Sequence, residues 1–323
     1  MATSKASEAG SALLAVLWLT AALSAIAFTV ANTVRTETER TATEVDALKT
    51  YYLATGAIDR ALLHVQWGIT LDTKYYRSPT AQLRFSFPTG DALVEVMQES
   101  SKLNINNAPP EQLADLALLA GASPAQAQTI AAGIVDWRSP SPGGFSEFDQ
   151  HYLALPSSFH SPHASFREIE ELLLIQGVTP DLFYGGYARN AQGNVIAHPG
   201  LKDALSVYGS YGPVDVNSAP ASVMTAIGIS PEAAGAIVTL RNASPITSME
   251  QLAPFRDSGP GFTRLSINVG KVVTLRATAW LRRPDGQPSD LRRSVAATVK
   301  FFGFQNNPPY HFLRWYDNAY SIR

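Results

Sequence analysis

Residues 11–31 read SALLAVLWLTAALSAIAFTVA and carry no charge. As a helix rising ~1.5 Å per residue, the run is about 31 Å long, enough to cross a bilayer's hydrocarbon core. A short polar lead, 1–10, precedes it. A polar but helix-compatible run follows, through Arg35, Glu37, Glu39, Arg40, Glu44, Asp46 and Lys49 to Tyr51, Tyr52 and Leu63. The chain holds 21 prolines, and the first is Pro79. Proline breaks a helix by removing a donor and clashing with the preceding turn, so a proline-free start predicts one long helix over 11–67. Its membrane-spanning part is 11–31, and Gly68 is the expected stop.

Three readings of the N-terminus compete. One is a plain anchor, another a secretory signal cut beyond the apolar run. The third is a leader cut just before that run, between Gly10 and Ser11. A secretory signal has a basic start and an apolar stretch of about 7–15 residues. Here the lead holds Lys5 and Glu8, and the apolar run is longer. Val45, Leu48 and Tyr52, and then Ile58, Leu62 and Val65, recur at three- to four-residue spacing within each group, predicting a face that packs on a globular domain.

The 323 residues allow one large or two modest domains beyond the helix. A net charge of −2 gives no general push toward nucleic acid or anionic lipid. Cysteine is absent, so disulfides, thiol catalysis and Cys-ligated zinc are excluded.

Residues 82–87 and 92–98 alternate around the turn residues 88–91, predicting a hairpin. In 271–281, Val273, Leu275, Ala277, Ala279 and Leu281 share one face. In 291–302, Val295, Ala297, Val299 and Phe301 do the same. These strands predict one antiparallel sheet, built from 68–101 and 270–323. The tail from 306, with Pro308-Pro309, reads as an ordered surface segment rather than a strand.

Between the two halves of the sheet lies a repeat. LNINNAP at 103–109 returns as VDVNSAP at 214–220. Gly121-Ala-Ser-Pro124 with Ala127, Ile130 and Arg138 returns as Gly228-Ile-Ser-Pro231 with Ala234, Ile237 and Arg241. FREIEEL at 166–172 returns as ITSMEQL at 246–252. Residues 102–269 therefore read as an inserted α-helical domain of two degenerate copies. The first copy carries an irregular insertion at 139–165.

Each copy resembles a helix-hairpin-helix, in which glycines let backbone N–H groups approach a phosphate. Both copies lack the second glycine of that hairpin. From 102 to 268 there are 8 Lys and Arg against 14 Asp and Glu, a net of −6. Phosphate binding needs a basic face, so the module reads as structural, with no nucleic-acid partner. His151, His160 and His163, with Glu147 and Asp149, raise zinc. Pro162 separates two of the histidines and no helical His pair exists, so a solvated loop is expected. Asp136, Glu147 and Asp149 are calcium candidates, a thin set with Arg138 among them. No nucleophile–base pair, phosphate loop or His-Glu-x-x-His motif stands out, so no enzymatic activity is expected.

Taken together the chain resembles the K-type minor pseudopilin of bacterial type II secretion systems (GspK). The resemblance rests on the lead and apolar helix, YYLATGAIDRALLHVQW at 51–67, KLNINNAP at 102–109, and IVDWRSPSPGG at 134–144. It continues with FREIEELLLIQGVTPDLFYG at 166–185 and VDVNSAPASVM at 214–224. It implies an α+β fold: a long N-terminal transmembrane helix packed on an antiparallel pseudopilin sheet, with a large inserted helical domain. It implies a prepilin leader, 1–10, cut between Gly10 and Ser11, with methylation of the Ser11 amine. It implies Ala15 at the fifth mature position, where most pilin-like subunits have glutamate. It further implies a place at the pseudopilus tip, anchored by a single pass in the inner membrane with the C-terminal domain in the periplasm. The implied partners are other minor pseudopilins, the prepilin peptidase, the assembly platform and the bilayer. The sequence departs from that pattern at Ser11, where an apolar residue is usual, and at Glu8, in a lead that is usually basic. Arg138-Ser139-Pro140 replaces an acidic run associated with calcium in the family. A DNA-uptake receptor anchored in the membrane and a type IV pilus tip subunit are the alternative readings.

Overall fold

The computed structural model describes residues 5–70, 82–141, 145–189, 195–267, 270–302 and 308–319. Residues 1–4 of the expected leader, Pro79, and Asn268 at the end of the second repeat lie outside these.

Helix α1 runs unbroken over Lys5–Thr70. It passes through Gly68 instead of stopping there, since one glycine costs a helix only ~1 kcal/mol. Strands β1 (Gln82–Phe87) and β2 (Gly90–Gln98) form the hairpin, with Phe87 paired to Gly90 around Pro88-Thr89.

The inserted part follows. Its first copy comprises β3 (Leu103–Asn104), α2 (Pro110–Leu119), α3 (Pro124–Arg138), α4 (Glu147–Leu153) and a 3-10 turn (Ile169–Leu174). It goes on through α5 (Pro180–Tyr184), β4 (Gly185–Arg189), β5 (Val195–Pro199), α6 (Leu201–Ala204) and β6 (Leu205–Ser206). The second copy is shorter: β7 (Val214–Asp215), α7 (Ala221–Ala226), α8 (Pro231–Ala243), 3-10 turns at Met249–Phe255 and Pro260–Arg264, and β8 (Leu265–Ser266). Each copy closes on itself by a two-residue parallel pairing. Leu103 and Asn104 face Leu205 and Ser206; Val214 and Asp215 face Leu265 and Ser266.

The chain then returns to the sheet with β9 (Val272–Arg282), β10 (Pro288–Phe301) and β11 (Tyr310–Tyr316). The order is β1-β2-β9-β10-β11, antiparallel throughout. Neighbours β2 and β9 are thus separated in sequence by the whole inserted domain. The fold is α+β: an apolar N-terminal helix, an antiparallel sheet and a helical insert with its own core.

One sheet face is covered by α1. Val273, Leu275, Ala277 and Ala279 on β9 and Val295, Ala297, Val299 and Phe301 on β10 are buried there, as the alternation predicts. Leu281 is only half-buried. The helix contributes Ala54, Ala57, Ile58, Ala61, Leu62 and Val65. Val45, Leu48 and Tyr52, expected on this face, are exposed. The sheet offers alanines at 92, 277, 279 and 297, so the helix approaches through its own alanines, and its bulky residues at 45, 48 and 52 face away. Ala57 is fully buried at this contact. Ala57→Leu is expected to lower stability by about 1–3 kcal/mol through overpacking, read as a shifted urea midpoint.

The tail is a strand, contrary to the sequence expectation. Pro308-Pro309 lies just ahead of it, and the edge of β10 pairs with Tyr310–Tyr316. A bulge at Thr298/Val299 interrupts the register, which breaks the simple alternation a strand would otherwise show. The insertion at 139–165 is likewise not wholly irregular. It contains α4, and it buries Tyr152 against Trp137 and Phe159.

Candidate functional site

Two regions carry chemistry, the free half of α1 and the paired hairpins of the insert. Residues 12–45 of α1 are exposed on every side, whereas burial against the sheet is complete by Thr50 and Ala54. At ~1.5 Å per residue the free portion extends about 50 Å from the domain. Its apolar part has a mean hydropathy of 2.3 over an 18-residue window, none of it buried. Leu13, Leu14, Val16, Leu17, Trp18 and Leu19 all face outward. The hydroxyls within it are satisfied inside the helix: Thr20 donates to Leu17 O, Ser24 to Thr20 O and Thr29 to Ala25 O. That suits an apolar surrounding, where an unpaired hydroxyl is costly. Beyond it, Arg35–Glu39 at 2.9 Å and Arg40–Glu44 at 3.2 Å form i,i+4 ion pairs on the exposed helix. The helix is long and apolar enough to serve as a membrane anchor.

Gly10 and Ser11 lie within the first turns of α1, and Ala15 is exposed one turn beyond Ser11.

In the insert, the two copies repeat their hydrogen bonds as well as their sequence. Asn106 pins the returning segment by donating to Phe166 O and accepting from Phe166 N; Asn217 does the same to Ile246. Arg138 donates to Ile105 O at 2.5 Å and Ala108 O at 2.7 Å. Arg241 donates to Val216 O at 2.7 Å and Ala219 O at 2.6 Å. Ser123 and Ser230 cap α3 and α8. Burial pulls both guanidinium groups down, and it pushes the Asp215 carboxyl up. Sequence comparison of the copies aligns these arginines and asparagines but not their bonds.

Both hairpin tips are covered by the chain itself. Gly121 (φ 102°) packs under His198, whose ring nitrogen lies 3.1 Å from Ala120 O. Gly228 (φ 99°) packs under Pro260, and Ser230 N donates to Ser258 O at 2.8 Å. These are the tip positions a helix-hairpin-helix would turn toward a phosphate.

The three acidic candidates are not gathered around a common point. Glu147 is exposed. Asp136 accepts from Ser146 Oγ at 3.1 Å. Asp149 closes a capping box with Ser146, accepts from Ser161 N, and lies 2.7 Å from His163 Nε2. Burial alone raises the Asp149 carboxyl, but its bonds from His163, Ser146 and Ser161 outweigh that and hold it below the usual range. Among the described residues no three His, Cys, Asp or Glu side chains are grouped to hold an ion. Of the histidines, His151 and His160 are exposed, but His163 is not in a solvated loop. The sequence reading missed its contact with Asp149 because 14 residues separate the two.

No protein-family model matches the chain, and no curated protein does. A solved structure is similar, a chain of the GspK-GspI-GspJ complex from the type 2 secretion system of enterotoxigenic Escherichia coli. The TM-score is 0.59 at 14% identity, over 87% of this chain and 100% of that one. At that identity the likeness carries the fold, which is pseudopilin-like.

Proposed function

We propose that this chain is a non-enzymatic minor pseudopilin at the tip of a type II secretion pseudopilus, where it initiates or caps assembly for protein export across the outer membrane. The observation that carries the reading is the combination of a charge-free, uncovered helix with a pseudopilin-like sheet whose strands are parted by a helical domain. The helix anchors the chain in the inner membrane, and the folded part stands in the periplasm. Small residues on the span, including Ala12, Ala15, Ala21, Ala22 and Ala25, allow close helix packing with other minor pseudopilins. The exposed residues Val45, Leu48 and Tyr52 extend that surface beyond the membrane. The prepilin peptidase and the inner-membrane assembly platform are the further partners.

Ala15 supports the position at the tip. A carboxylate inside a helix bundle needs a partner, and in pilin-like filaments that partner is a neighbour's N-terminal amine. With alanine at this position the chain makes no such pair and has no need to dock beneath another subunit. The inserted domain obstructs a subunit placed above it. The reading includes no nucleic-acid partner, supported by the covered hairpin tips and the acidic balance of the insert.

Intact mass after co-expression with a prepilin peptidase tests the proposal. The expected product begins at Ser11 and carries one added methyl group, and Gly10→Val leaves the chain at full length. An uncut wild-type chain, or a cut after residue 31, overturns it.

A further inference from the structure

His163 is wedged between α3 and α4 with 18% of its side chain exposed. Its Nε2 lies 2.7 Å from Asp149 Oδ2. Its Nδ1 lies 3.2 Å from both Asp136 O and Ser139 O. Carboxylate and carbonyl oxygens only accept, so each ring nitrogen has to donate. A neutral imidazole carries one N–H and satisfies one side; an imidazolium carries two and satisfies both. The backbone is committed as well, since His163 (φ 44°) is the one non-glycine residue with a positive φ among those described.

The charges around the ring favour the cation. From α3 it faces Asp136, whose carboxylate is bonded to Ser146, and from α4 it faces Asp149, buried with both oxygens occupied. Arg138 points away to the carbonyls of residues 105 and 108. Tyr152 on α4 uses its hydroxyl to accept from Gln176 N. Glu147, His151 and His160 are exposed. The hydrogen bond to Asp149 raises His163 above its ordinary value, more than burial lowers it.

We propose that His163 is held as an imidazolium and acts as the fixed cation that closes the 145–165 segment onto α3, in place of a divalent ion. Calcium takes six to eight oxygens. Here the oxygens of Asp149 already receive N–H donors from Ser146, Ser161 and His163, so the donor set does not fit the metal. The segment therefore needs no calcium to close.

The test uses the full chain in detergent, labelled with 15N-histidine. At about pH 7.5, above the ordinary imidazole value of 6.5, both ring nitrogens of His163 are expected to read as N–H. His163→Asn assigns the signal, and asparagine tolerates the left-handed backbone, so the variant removes the charge and not the conformation. Proteolysis within 145–165 is expected to rise on the order of tenfold or more in that variant, since cleavage follows the opened population. Millimolar calcium is expected not to restore protection, and chelator is expected to leave the wild type unchanged. A neutral ring at this pH overturns the proposal. So does unchanged proteolysis in His163→Asn, rescue of that variant by calcium, or loosening of the wild type by chelator. If His163→Asn fails to fold, the signal is assigned through Asp149→Asn and the ring-nitrogen measurement on the wild type decides.

Discussion

Gly259→Ala is expected to lower the stability of the insert by roughly 2–5 kcal/mol, from backbone strain together with a lost buried hydrogen bond. Gly259 has φ 137° and ψ 172°, a region open to glycine alone. A Cβ there would overlap the carbonyl oxygen of Gly228 and lie 3.0 Å from its carbonyl carbon. Both are backbone atoms and cannot swing aside. Relief requires the 258–260 turn to lift from the hairpin tip, which frees the Ser230 N–H now bonded to Ser258 O. Urea unfolding followed on the insert checks the energy, and hydrogen exchange at the Ser230 amide checks the mechanism. Gly121→Ala is the control. There the cover is the His198 ring, 3.3 Å from the added carbon, and a side chain can yield. Its cost should be nearer ~1 kcal/mol, the penalty of the positive φ. Equal effects at the two glycines would refute the argument.

Arg241→Ala is expected to cost about 2–4 kcal/mol, from two carbonyls that lose a charged donor and a nearby buried carboxylate that loses a favourable charge. The guanidinium binds the carbonyls of Val216 and Ala219 and stands beside buried Asp215. Burial pushes the Asp215 carboxyl up, and the Ser218 hydroxyl, nearby N–H groups and the Arg241 charge only partly offset that. Without the arginine, two carbonyls lose their donor and the carboxylate loses its countercharge. The penalty should shrink in acid, where Asp215 takes up a proton and no countercharge is needed. Arg138→Ala in the first copy should cost less, about 1–3 kcal/mol. It loses the same kind of bonds, but the residue equivalent to Asp215 is the neutral Asn104. Urea midpoints for the two variants at neutral and acid pH provide the comparison.

Much of the architecture is legible along the chain because it rests on local periodicity. A charge-free, proline-free run of 21 residues is long enough to cross a bilayer as a single helix, which satisfies its own backbone donors and acceptors. Alternation at 273–279 and 295–301 marks strands that bury one face, and the recurring Asn, Gly-x-Ser-Pro and Arg mark two copies of one unit. Those copies part the sheet strands, which is why the insert can be read before any coordinate is known.

Other features depend on which surfaces meet. The helix face on the sheet sets Ala54, Ala57 and Ala61 among Ile58, Leu62 and Val65; a search for bulky residues finds the last three but adds Val45, Leu48 and Tyr52, which are exposed, and passes over the alanines. Residues 310–316 become a strand because β10 offers an edge, and the extra residue Leu313, where the register shifts, breaks their alternation. The His163–Asp149 pair joins residues brought together by the packing of α4 on α3. Ala120 meets His198 across 78 positions.

The sequence by itself determined the long apolar helix, the strand faces and the duplicated helical unit, since each depends on residues within one or two turns or pleats of one another. Only the tertiary structure decided which face of α1 is buried, what covers the two hairpin tips, and that the acidic positions 136 and 149 surround a histidine. Those outcomes are contacts between distant segments, selected by how closely their surfaces fit and by where each buried donor finds an acceptor.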